Sequence, residues 1–121
     1  MKIIVLQGCK DTGKTTTLND VCSLLDNTFT PKIKVGRKKD FERIINYKNK
    51  KIAIYSMGDY LNYCVEYIAK SIAAGNIDVL IFAARPFISL KRALKYMKVV
   101  SKKSATNNDN SSARDKIIAA I

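Results

Sequence analysis

The sequence predicts a single α/β domain over residues 1–121, with a mostly parallel sheet and helices on both faces. Three observations carry this. Apolar runs at 3–6 and across 77–84, the latter interrupted only by Asp78, read as strands buried on both sides, the usual appearance of parallel strands. Segments with apolar residues three and four apart alternate with them, as helices with one buried face do. Apolar residues make up 47% of the 121, enough for one core without disulfide or metal staples.

Lys2-Ile3-Ile4-Val5-Leu6-Gln7 is the first strand. The helix after it, residues 16–25, places Leu18, Val21, Cys22 and Leu25 at i, i+3, i+4 and i+7. Residues 26–40 lack a period and contain Pro31 and Gly36, so they read as a connection. Residues 41–47 and 51–56 flank the polar turn Lys48-Asn49-Lys50 and form the one expected β-hairpin, the more apolar second arm being the central strand. From 60 to 74, Leu61, Cys64, Val65, Ile68, Ala69 and Ile72 make a helical stripe, stopped by Gly75 and Asn76. Residues 77–84 are a buried strand. Pro86 opens a helix to about residue 97. Residues 98–102 hold a short last strand, 106–112 a polar loop, and 113–121 a terminal helix.

The turn after the first strand is Gly8-Cys9-Lys10-Asp11-Thr12-Gly13-Lys14-Thr15, which reads G-x-x-x-x-G-K-T. A strand, a glycine-bearing turn and a helix N-terminus make an anion cradle, because the amides point inward and the helix dipole favours negative charge. Over residues 1–25 the chain resembles the P-loop, or Walker A, nucleoside-triphosphatase superfamily, without matching a particular branch. The resemblance implies a three-layer P-loop fold and a site for ATP with Mg²⁺. Gly8, Cys9, Lys10, Asp11, Thr12, Gly13, Lys14, Thr15 and Thr16 would then contact the nucleotide, Lys14 reaching the β and γ phosphates and the Thr15 hydroxyl binding the metal.

P-loop enzymes use a second metal-orienting acid near the end of an apolar strand. Asp59, in Ile52-Ala53-Ile54-Tyr55-Ser56-Met57-Gly58-Asp59, is the candidate, a few residues past the run, with Ser56 in the expected place. The stretch also resembles the D-x-x-G switch of small GTPases, with Ser56 replacing the acid and Gly58 offering its N–H to a γ-phosphate. The alternative is that Gly58-Asp59 turns the chain and caps the next helix. Asp78 precedes its strand, at the far end from the crevice. Arg85 follows a strand end, where it could neutralise transition-state charge or be a solvated arginine. Ligands in such sheets bind outside the strand C-termini, so the loop, residues 56–59, Arg85 and residues 102–104 are expected around one crevice.

The net charge of +12 suits polyanionic partners, or reflects a composition rich in lysine, isoleucine and asparagine. Lys32, Lys34, Arg37, Lys38 and Lys39 would bind a small anionic acceptor or form a solvated loop; Lys91, Lys95, Lys98 and Lys102 recur near helical spacing, as on a wet helix face. Tyr60, Tyr63 and Tyr67 share a helix side and are expected to pack on the sheet. Cys9, Cys22 and Cys64 fit no zinc or redox spacing, and there is no histidine. No apolar run approaches a membrane span, and the chain enters its first strand at once, so no membrane partner and a cytoplasmic setting are expected.

No N-K-x-D or T-K-x-D motif follows Ala84, so ATP is expected before GTP. The arginine-rich lid of nucleotide kinases, the early second lysine of ParA-like ATPases and the water-activating glutamate of motor-type ATPases are missing too. The expected activity is phosphoryl chemistry at the γ-phosphate, by hydrolysis or by transfer to a small acceptor. A reading of another class is a nucleotide-dependent switch that contacts nucleic acid through its lysines; that contact is expected to be weak.

Overall fold

The computed structural model describes residues 1–34 and 37–121, with the side chains of Lys34 and Arg37 outside the described set. Gly36, expected as a breaker, lies outside the described residues. The chain order is β1 (Lys2–Gln7), α1 (Lys14–Leu25), β2 (Ile33–Lys34), β3 (Arg37–Lys38), β4 (Glu42–Tyr47), β5 (Lys50–Tyr55), α2 (Leu61–Ala74), β6 (Val79–Ala84), β7 (Lys98–Ser101) and α3 (Asn107–Ala120). The protein is α/β, with a five-stranded sheet ordered β4-β5-β6-β1-β7. β1 runs parallel to β6 and β7, β5 runs parallel to β6, and only β4 is antiparallel to its neighbour.

Alternation along the strands divides the core. Ile4 and Leu6 of β1 and Ile81 and Ala83 of β6 face one way, against Leu18, Val21 and Cys22 of α1 and Ala113 and Ile117 of α3. Val5 of β1 and Leu80, Phe82 and Ala84 of β6 face the other way, against Cys64 and Tyr67 of α2. All six residues of β6 are buried, as a strand covered on both sides must be. No helix among the described residues is long and apolar enough to cross a membrane.

The hairpin forms as expected, with Lys48 (φ 48) and Asn49 (φ 63) as its two turn residues and Lys50 already in the strand. Both positive φ values suit the tight turn that matches strand twist. A second, smaller antiparallel pair, β2 with β3, lies inside the segment expected to be a plain connection.

Four expectations are corrected. Residues 86–97 are not one helix but two 3-10 turns, Ile88–Leu90 and Ala93–Tyr96. Ile88 and Tyr96 are largely exposed, while Phe87, Leu90, Leu94 and Met97 pack against the core; two short turns seat these side chains without a continuous helix. Residues 106–112 are not a loop: Asn107 opens α3, and the Thr106 hydroxyl accepts the Asp109 amide at 3.2 Å. A threonine N-cap followed by an acid outweighs the low helix propensity of the asparagines. On α2 the buried line runs through Cys64, Tyr67 and Ser71, leaving Val65 and Ile72 exposed. Of the three tyrosines only Tyr67 packs inward, stacked on Tyr55 at 4.1 Å; Tyr60 and Tyr63 pair edge to face in solvent.

Candidate functional site

The loop of residues 8–15 leaves the C-terminal end of β1, the strand flanked by β6 and β7. Both neighbours hold its exit: Gly8 N–H donates to Ala84 O at 3.0 Å, and Lys102 N–H donates to Gln7 O at 2.8 Å. Thr12 Oγ1 donates to Cys9 O at 2.8 Å and closes the turn. Asp11 (φ 61) and Gly13 (φ 80) then curl the backbone into α1. Gly13 is the N-cap of α1, and the first helical bond is Thr17 N–H to Gly13 O at 3.0 Å. The amides of Gly13, Lys14, Thr15 and Thr16 are the unsatisfied donors of the first turn, and no hydrogen bond among the described residues engages them.

The glycines let this loop pack down at its back. A Cβ on Gly8 would lie 2.5 Å from Thr12 Oγ1 and 3.0 Å from Lys102 O; one on Gly13 would lie 2.7 Å from Asn110 Oδ1. That back wall is a polar brace. Lys102, its side chain fully buried, donates to Asp109 Oδ2 at 2.9 Å and to Asn110 Oδ1, which also accepts Thr17 Oγ1 at 3.3 Å. Reading 106–112 as a loop hid this brace.

In front of the loop is an open pocket of about 620 Å³. Residues 10–16 line it, with Lys38, Asp40, Ser56, Gly58, Asp59 and Ala105 among its other walls. Lys14 is 7% exposed and donates through Nζ to Gly8 O at 2.9 Å and Cys9 O at 2.8 Å. Burial pushes its pKa below the ordinary lysine value; the Asp59 carboxylate opposes the shift and the Arg85 cation adds to it. Lys38 is ion-paired with Asp20. Lys32 and Lys39 lie instead on a second pocket of about 300 Å³, beside Phe29 and Phe41.

Asp59 lines the main pocket; Arg85, expected on the same crevice, is not among the lining residues but pairs with Asp59, its Nε and Nη2 both 3.1 Å from Asp59 Oδ1. Asp59 does not cap α2, whose N-cap is Tyr60 and carries no side-chain cap bond. Asp78 accepts the Lys51 amide at the opposite end of the sheet. The Thr15 hydroxyl meets a different acid: it donates to Asp40 Oδ1 at 2.8 Å, and Ser56 Oγ donates to the same oxygen at 3.0 Å.

Asp40 is the residue that sequence reasoning missed. The hairpin register carried the signal: Glu42 opposite Tyr55 puts Phe41 opposite Ser56, and residue 40 next to the end of β5. Among the described residues no cluster of three or more His, Cys, Asp or Glu forms a ready-made metal site. The donors present are hydroxyl and carboxylate oxygens, hard ligands of the kind Mg²⁺ takes in ones and twos alongside phosphate.

A scan against protein-family models finds no match, and searches of curated proteins and of solved structures return no significant relative.

Proposed function

We propose that the protein is a P-loop domain, three-layered in the manner of that superfamily, that binds ATP with Mg²⁺ at residues 8–16 and acts on the γ-phosphate. One observation carries the reading: four unsatisfied amides, at Gly13 to Thr16, end beside a buried lysine on an open pocket. Directed N–H donors, a helix dipole and one cation together select a phosphate chain. Lys14 fits this use. Its ammonium has three donors and spends two on the Gly8 and Cys9 carbonyls, so one remains for a phosphate oxygen.

Mg²⁺, when bound, would neutralise charge on the phosphate oxygens and so favour transfer of the γ-phosphoryl group. The chain's own part is to hold and orient. The amides and Lys14 grip the phosphates. Thr15, with a pocket carboxylate (Asp59 by the sequence reading), faces the metal. Arg85, oriented by Asp59, offsets charge that develops on the transferred group. Positioning and electrostatics suffice for phosphoryl transfer, so hydrolysis and transfer to a small anion bound near Lys32 and Lys39 both fit.

The test is calorimetric titration of Mg-ATP into the wild type and Lys14→Ala. Removing a charge-assisted bond should weaken binding by at least about tenfold. Circular dichroism should show the fold intact. Equal affinity in the two proteins overturns the proposal.

A further inference from the structure

We propose that Asp40, held by Ser56, is the carboxylate that orients the metal at this site. The inference rests on the Mg-nucleotide reading above. At the end of β5, where an acid is expected, stands Ser56, 2% exposed and uncharged. The acid arrives from across the hairpin instead. Pairing of β4 with β5 continues one step beyond Glu42 and Tyr55: Ser56 N–H donates to Phe41 O at 3.0 Å, and Phe41 N–H donates to Ser56 Oγ at 2.7 Å. Those two bonds fix residue 40 beside the strand end.

The hydroxyl protons then settle the orientation. Ser56 Oγ accepts from Phe41 N–H, so its own proton is turned toward Asp40 Oδ1 at 3.0 Å, with Phe41 O the more distant acceptor at 3.2 Å. Thr15 Oγ1 donates its hydrogen bond to the same carboxylate oxygen at 2.8 Å. With the proton committed, the lone pairs of the Thr15 oxygen are free to serve a cation, the role an orienting partner plays for a metal ligand. Asp40 also brings a negative charge next to that oxygen, and no cation pairs with it among the described residues. Asp59, the competing acid, is already matched by the Arg85 guanidinium.

The experiment titrates Mn²⁺, followed by electron paramagnetic resonance, into the ATP-saturated protein and its variants. Metal-free ATP affinity is measured alongside by calorimetry. Asp40→Asn keeps an amide oxygen to accept both hydroxyls, so it should fold, and with one negative charge fewer beside the phosphates its metal-free ATP affinity should not fall. Its Mn²⁺ affinity should fall by about 10–100-fold. Ser56→Ala, which deletes only the hydroxyl that steadies Asp40, should lose several-fold. Full Mn²⁺ affinity in a folded Asp40→Asn, or a larger loss in Asp59→Asn than in Asp40→Asn, overturns the inference and leaves the nucleotide reading standing. A wild-type protein that binds ATP neither with nor without metal overturns the nucleotide reading itself, and this inference with it.

Discussion

Replacing Gly58 with alanine tests how tightly the pocket wall is built against the sheet. The added Cβ would lie 2.3 Å from Ala83 O, 2.4 Å from Ala83 C and 2.7 Å from Ala84 N. These are backbone atoms of β6, held on both sides by β1 and β5, so they cannot turn aside. The segment must retreat by about 1 Å to reach ordinary van der Waals separation. That retreat strains the bond from Arg85 N–H to Gly58 O, 3.2 Å long, and moves Asp59 with it. Overpacking against an unyielding wall costs about 3 kcal/mol. For a chain of this size that lowers the melting temperature by about 10–12 °C. Gly75→Ala is the internal control: Gly75 has φ 74 but nothing within 4 Å of a new Cβ, so only backbone strain of about 1 kcal/mol applies. The assay is thermal unfolding followed by circular dichroism. A Gly58→Ala protein that melts within about 2 °C of wild type, or above Gly75→Ala, refutes the reasoning.

Two further outcomes follow from the charges and thiols. The Lys102 hydrogen bond holds the Asp109 carboxyl below its ordinary value of 3.8, so its stabilising effect is complete above that value and is lost as pH falls through the lowered one. Asp109→Asn should therefore flatten the acid side of the stability profile, read from urea midpoints across pH; an unchanged slope counts against the brace. Burial pushes the Cys22 and Cys64 thiols up to about 11, whereas Cys9 is exposed in the loop. A thiol reagent at neutral pH should label Cys9 alone, and Mg-ATP should slow it; equal labelling with and without Mg-ATP argues against nucleotide in the loop.

Local pattern made much of the fold legible. β1, α1, the hairpin, α2, β6 and β7 all lie where apolar period and turn residues place them, although α2 buries a line through Cys64, Tyr67 and Ser71 rather than the apolar stripe its sequence marks. The errors fall where pattern and context part. Residues 86–97 carry helix-forming residues and set Phe87, Leu90, Leu94 and Met97 against the core, yet two short turns seat those side chains without a continuous helix. Residues 107–112 are polar, yet Thr106 caps them, and Asn110 is buried against the loop through Lys102 and Thr17.

The candidate site divides in the same way. The sequence by itself determined the loop, because G-x-x-x-x-G-K-T between a strand and a helix leaves the backbone few ways to turn and sets where the amides and Lys14 fall. Which acid stands beside Thr15 was decided by tertiary structure alone. Asp40 and Asp59 are each separated in sequence from the hydroxyl in question, and both lie near the end of β5. Only the β4–β5 register, which carries Asp40 to Ser56, and the reach of Arg85 from the end of β6, which captures Asp59, tell them apart. Both are long-range contacts, and no local spacing encodes them.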